Sequence, residues 1–90
     1  MNKTELINTV AQKTDLPKTL VSKIIDTVIE TIEEAVARGE SVTLVGFGTF
    51  SLIERKERRG RNPRTGETMV IPARKDVKFK AGKRFKERLS

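Results

Sequence analysis

Arg55, Lys56, Arg58, Arg59, Arg61 and Arg64 stand within ten consecutive positions, and Pro63 is the sole apolar side chain between Glu54 and Thr68. Guanidinium and ammonium groups at this density suit one kind of chemistry, the neutralisation of a polyanion such as a phosphodiester backbone. A segment of this composition has nothing to bury on either face, so it cannot belong to a core. It reads as a cationic arm thrown out from a folded body, with Pro63 near its tip. Other chemistry is poorly provided for. The chain has no Cys and no His, which removes disulfides, thiolate and imidazole metal sites, and the usual general base. Of the carboxylates, Glu30, Glu33 and Glu34 fall on a polar helix face, and Asp15 and Asp26 have no evident catalytic partner. The pattern therefore points away from an enzyme and calls for no cofactor and no metal.

The charge is unevenly placed. Residues 1–45 hold five basic and seven acidic groups, and residues 46–90 hold fourteen basic and five acidic groups. Such asymmetry speaks of partners, and nucleic acid is the commonest polyanion. Ninety residues make one small domain, in which the core alone gives limited stability. With disulfides and metals absent, oligomerisation is the remaining way to bury more surface. No apolar run follows the basic start and no stretch reaches the length of a membrane span, so a soluble, cytoplasmic protein with no membrane role is expected. The last helix is too short, and its apolar face too narrow, for a membrane-surface role.

The body that positions the arm is legible from periodicity. Asn2 and Glu5 have the spacing of a helix N-cap and its reciprocal partner. Leu6, Ile7, Val10 and Ala11 continue a first helix to about Lys13. Thr14-Asp15-Leu16-Pro17 breaks it, and Pro17 suits the first turn of the next helix. That second helix carries Leu20, Val21, Ile24, Ile25, Val28, Ile29, Ile32, Ala35 and Val36 around roughly half its circumference, wider than an ordinary surface helix needs. A core shared with a second copy of the chain explains the width better than a monomer core. Gly39 supplies the stop. Ser41–Val45 and Thr49–Ile53 are strand-like, with Gly46-Phe47-Gly48 as the corner between them. After the arm, Met69, Val70 and Ile71 bring the chain back, and Val77 and Phe79 rejoin the body. Gly82 precedes a short basic helix with Phe85 and Leu89 on one face. The expectation is an α+β fold of two helices, a three-stranded antiparallel sheet with a long β-ribbon arm between its second and third strands, and a short closing helix. Residues 1–45 form the helical dimerisation half and first strand, 46–81 the sheet with an arm at about 54–75, and 82–90 the last helix.

Asn62-Pro63-Arg64-Thr65-Gly66 is strong turn chemistry: Asn opens it, Pro presets φ, and Gly takes a left-handed position. Arg outnumbers Lys on the arm, as it does where a narrow minor groove is entered, and a rigid Pro at the tip suits a wedge between base pairs. The plainer alternative is a solvated hairpin with Pro63 as a turn residue only; the basic half behind the arm weighs against it.

Gly46-Phe47-Gly48-Thr49-Phe50, then Arg55, Arg58, Gly60-Arg61-Asn62-Pro63-Arg64-Thr65-Gly66, and then Ile71-Pro72-Ala73 strongly resemble the bacterial histone-like HU and integration host factor family. The likeness covers nearly the whole chain, from Met1-Asn2-Lys3-Thr4-Glu5-Leu6 to Phe79-Lys80-Ala81-Gly82-Lys83. The Gly-Arg-Asn-Pro-x-Thr-Gly run is highly specific, whereas the Gly-Phe-Gly corner alone is weak. The resemblance implies an intertwined homodimer whose two arms enter the minor groove of double-stranded DNA and bend and compact it, with little sequence preference. HU and integration host factor are themselves standing examples of wedge-inserting minor-groove binders, so that mechanism is carried over from the family.

By position, the resemblance makes Pro63 the intercalating wedge, with Arg61, Asn62, Arg64 and Thr65 around it in the groove. Arg55, Arg58, Arg74 and Lys75 line the ribbon, and Lys3, Lys80, Lys83 and Lys86 hold phosphates along the body. Phe47, Phe50 and Phe79, with Ile29, Ile32 and Val36, form core and dimer contacts and not base-stacking groups. Two departures bear on affinity and leave the tip untouched. Ile53 stands where many HU chains carry Arg, and Asp76-Val77 replaces a frequent Val-Pro pair, which loosens a bend that Pro would fix. The rival reading is an integration-host-factor-like protein that bends one specific site. A further alternative is a structured or nicked RNA partner, whose A-form grooves suit the clamp less well. The place of action implied is the bacterial nucleoid, or an organelle of bacterial descent.

Overall fold

The computed structural model describes residues 1–90, which divide into two units, Met1–Glu34 and Ala35–Ser90. Helix α1 spans Lys3–Thr14 and α2 spans Lys18–Ala37. Asn2 caps α1 by accepting the Glu5 N–H on Oδ1 at 2.9 Å, one of the two bonds of the reciprocal arrangement. Asp15 ends α1 in the left-handed region (φ 58°), which a short polar side chain tolerates. Pro17 precedes α2, and its carbonyl accepts the Val21 N–H at 3.0 Å. It thus stands one position earlier than a first-turn proline, and its missing N–H is still one the helix would leave unpaired. In this first unit the Lys3 ammonium, on α1, pairs with the Asp26 carboxylate, on α2.

The end of α2 lies in the second unit. Gly39 adopts φ 88° and donates to the Val36 carbonyl at 2.9 Å, while the Glu40 N–H reaches the Ala35 carbonyl at 2.9 Å. These are the two bonds of a Schellman motif, and they need the left-handed residue at Gly39. Strands β1 (Val42–Leu44), β2 (Gly48–Arg55) and β5 (Arg74–Ala81) form an antiparallel sheet in the order β1-β2-β5. A separate two-stranded ribbon, β3 (Arg58–Arg61) with β4 (Thr68–Ile71), lies between β2 and β5 in the chain. Helix α3 (Lys83–Glu87) follows at once.

The sheet and the ribbon share one register. Gly48 pairs with Ala81 and Arg55 with Arg74; beyond the break, Arg58 pairs with Ile71 and Arg61 with Thr68. Two residues drop out on each side, Lys56-Glu57 and Pro72-Ala73, so the count is unbroken. Pro72 has no N–H to give to a ladder, which is reason enough for the interruption. The arm is thus one long hairpin without a bulge, its ladder interrupted at the root. The expected arm at 54–75 takes in the outer ends of β2 and β5, which remain in the three-stranded sheet.

Gly46-Phe47-Gly48 is a packed corner. Phe47 donates to the Leu44 carbonyl at 2.9 Å, its own carbonyl accepts from Gly82 at 2.7 Å, and the Gly46 carbonyl accepts from Phe85 at 3.0 Å. This ties the start of α3 to the hairpin corner. All four phenylalanines of the chain gather here: ring centroids lie 4.8 Å apart for Phe50 and Phe79, 5.4 Å for Phe47 and Phe79, and 5.3 Å for Phe47 and Phe85. They pack ring on ring, as aromatic pairs do in cores. Even so, Phe47 is 38% and Phe79 41% exposed in the protomer.

Candidate nucleic-acid interface

Strand alternation sorts the cations onto two faces. On one face of the sheet stand Thr49, Ser51, Ile53 and Arg55 of β2, opposite Lys80, Lys78, Asp76 and Arg74 of β5. The other face carries Phe50 and Leu52 against Phe79 and Val77, with Glu54 opposite Lys75 at its outer end. Counted through the break in unchanged register, the polar face continues into Arg59 and Arg61, opposite Val70 and Thr68. Arg58 and Gly60, opposite Ile71 and Met69, continue the other. Six cations therefore share a side of the hairpin: Lys80, Lys78, Arg74, Arg55, Arg59 and Arg61. All six are exposed. A row of this kind tracks a phosphate backbone.

Of the residues singled out by sequence, Arg55, Arg61, Arg74 and Lys80 are brought together in this row. Arg58 and Lys75 stand on the opposite face. Arg59, noted only as one of the cations of the run, and Lys78 belong to the row as well, and neither was given a DNA-contact position. Counting by two from Arg61 and from Lys80 is the signal that finds them. Lys83 and Lys86 lie on α3, where Lys83 is 3.9 Å from the Glu87 carboxylate. Lys3 lies in the other unit and has its charge engaged by Asp26.

The tip is built by its own hydrogen bonds. Asn62 donates its N–H to the Glu67 carbonyl at 2.8 Å, and its carbonyl accepts the Gly66 N–H at 2.8 Å. Asn62 Oδ1 accepts the Arg64 N–H at 2.9 Å, an Asx turn, and Thr65 Oγ1 accepts the Glu67 N–H at 3.3 Å. Gly66 takes φ 74°. Asn62 and Thr65 thus spend their oxygens on shaping the loop, which leaves the Asn62 amide NH2 and the Thr65 hydroxyl proton without a partner in the protein. Pro63 and Arg64 are exposed at the extremity. A proline held this way presents a stiff apolar edge that loses no rotamer freedom on contact.

At the root of the arm, Arg55 and Arg74 are directly opposite each other. Asp76 is the diagonal neighbour of Arg55, and its Oδ2 accepts from Arg55 Nε at 3.4 Å. Its Oδ1 accepts the N–H of Val77 at 2.9 Å. That backbone bond holds the Asp76 carboxyl below its ordinary range; slight desolvation opposes it, and the hydrogen bond from Arg55 and the charges of Arg55 and Arg74 assist. Unlike a proline, Val77 has an N–H to offer, so Asp76-Val77 fixes its own geometry here while β5 runs on in register.

No helix of the protein is long and apolar enough to cross a membrane. The profile of the family described as bacterial DNA-binding protein matches residues 1–90. The chain is 53% identical over 87 residues to DNA-binding protein HU-beta of Pseudomonas fluorescens, covering 97% of each chain. It is 51% identical over 87 residues to DNA-binding protein HU of Staphylococcus aureus, again covering 97% of each. Among solved structures, the Anabaena HU–DNA cocrystal structure superposes with a TM-score of 0.92 at 49% identity, covering 100% of this chain and 98% of that one. HU from Thermotoga maritima gives a TM-score of 0.71 at 39% identity, covering 100% of both. With a full-length profile match and relatives near half identity, this chain belongs to the bacterial DNA-binding protein family of HU.

Proposed function

We propose that the protein is a histone-like, non-enzymatic DNA-binding protein that binds double-stranded DNA with little sequence preference and bends and compacts it. The observation that carries this reading is the hairpin arm, with one cationic face from Lys80 to Arg61 and a self-braced tip presenting Pro63. The Anabaena relative, whose fold is so similar, was crystallised with DNA. In the complex the arm lies in the minor groove, Arg59, Arg61, Arg64 and the Asn62 amide face the groove walls, and Pro63 enters a base step and kinks the duplex. Lys78, Lys80, Lys83 and Lys86 hold further phosphates, and Lys3, in the other unit, holds phosphate on release from Asp26.

The working unit is a homodimer with two arms. A protomer buries only Ala11, Val21, Ala35 and Val36 of its apolar residues. Ile24, Val28 and Ile29 remain 47%, 50% and 42% exposed, and Phe47 and Phe79 are open as well. Four buried residues cannot offset the conformational entropy of ninety. A second copy covering Ile29, Ile32 and the phenylalanine cluster supplies what is missing. The bacterial nucleoid is the place of action this reading implies.

The test is to titrate the protein into labelled duplexes of about 40 base pairs with unrelated sequences, at several salt concentrations, and to follow anisotropy. Similar affinities that fall steeply with salt are expected. Tight binding to one sequence alone would replace this reading by a site-specific bender of the integration-host-factor kind, and preference for structured RNA would replace the partner.

A further inference from the structure

The face of the sheet that carries Thr49, Ser51, Ile53, Arg55, Arg74, Lys78 and Lys80 holds a single carboxylate, that of Asp76. It is anchored from both sides, by the Val77 N–H at 2.9 Å and by Arg55 Nε at 3.4 Å, and it sits between Arg74 and Lys78 along β5. We propose that Asp76 is an affinity-setting residue of the DNA interface, a fixed internal anion that competes with DNA phosphate for Arg55 at the root of the arm.

The inference rests on the DNA-binding reading and adds to it a brake. The Arg55 and Asp76 side chains are 53% and 41% exposed. A pair this open is held by a factor of about five at most, so an incoming phosphate can displace the carboxylate. The displaced carboxylate stays where the Val77 N–H holds it, close to that phosphate, and the repulsion offsets part of the gain. The root of the arm therefore contributes less than its count of cations suggests, and binding leans on Arg59, Arg61 and the tip. Arg55 and Arg74, directly opposed like charges, are kept compatible in the free protein by the same carboxylate.

The experiment compares wild type with Asp76→Asn, Asp76→Glu and Glu54→Gln on one labelled duplex at three salt concentrations, and places Arg55→Ala in both the wild-type and the Asp76→Asn backgrounds. Glu54→Gln makes the same change in net charge on the opposite face, across from Lys75. Asp76→Asn is expected to bind about three- to tenfold tighter, with a salt slope steeper by up to about 0.9 per arm. Asp76→Glu stays near wild type, Glu54→Gln gains less than twofold, and Arg55→Ala costs several-fold more in the Asp76→Asn background than in wild type. Equal gains from Asp76→Asn and Glu54→Gln, or an Arg55→Ala cost independent of background, would overturn the proposal in favour of net charge alone. Wild type that shows no salt-dependent binding would overturn the DNA-binding reading itself and this inference with it.

Discussion

Gly82 is a position where one added methyl group should do heavy damage, because everything it would meet is backbone. A Cβ there would lie 2.8 Å from the Gly46 carbonyl carbon and oxygen and 3.1 Å from the Phe47 carbonyl carbon. Neither neighbour is a side chain that can swing aside. Relief requires α3 to lift from the corner, which stretches the Gly82-to-Phe47 bond of 2.7 Å and the Phe85-to-Gly46 bond of 3.0 Å. Overpacking costs about 1–3 kcal/mol, and each bond lost adds about 0.5–1.5 kcal/mol. Gly82→Ala should therefore destabilise by about 2–6 kcal/mol if both bonds are lost. Gly39→Ala is the comparison: Gly39 has φ 88° but nothing within 4 Å of the added atom, so only left-handed strain of about 1–2 kcal/mol applies. Urea unfolding followed by far-ultraviolet circular dichroism, at one fixed chain concentration, measures both. Gly82→Ala unfolding at or above the midpoint of Gly39→Ala would refute the tight seating of α3 on the Gly46-Phe47-Gly48 corner.

Arg59→Ala should lower the salt slope of DNA binding as much as Arg61→Ala, by about 0.9 per arm, and Arg58→Ala by less; a larger effect at Arg58 would mean that the alternation of faces does not carry through the break at Pro72. Pro63→Ala should reduce bending far more than affinity, read by energy transfer across a doubly labelled duplex; undiminished bending removes the wedge from the mechanism. The Asp76 carboxyl, held below its ordinary value of 3.8 by the Val77 N–H and Arg55, contributes stability that is present above the unfolded value and is lost as pH falls through the lower folded value. The stability difference between wild type and Asp76→Asn should accordingly be constant from about pH 5 to 7 and vanish below the ordinary carboxylate range. A carboxyl carbon resonance of Asp76 titrating at or above 3.8 contradicts this.

Local chemistry made much of this legible in advance. Asn2 three residues before Glu5, Gly39 after the last apolar turn, and Asn62-Pro63-Arg64-Thr65-Gly66 each act through bonds to near neighbours, so the sequence shows them directly. The arm was equally plain, because a run of charge with no apolar residue cannot be buried. What the sequence did not show depends on partners distant along the chain. Which of Arg58 and Arg59 shares a face with Arg74 follows from the register between β2 and β5. The pairing of Arg55 with Asp76 follows from the same register, and local composition does not specify it. The two-residue break at Lys56-Glu57 and Pro72-Ala73 splits the expected three strands into a sheet and a ribbon. Pro72 signals it, but only once its partner strand is known. Gly82 reads as a helix start in sequence, and its contact with Gly46 is a property of the folded corner.

The central claim is that the arms bend whatever duplex they grip. The most direct measurement is end-to-end energy transfer on doubly labelled duplexes of about 40 base pairs and unrelated sequence, taken at saturating protein. Shortened ends on every duplex are predicted. Saturation by anisotropy with unchanged end-to-end distance would contradict the account and leave a protein that coats DNA without bending it.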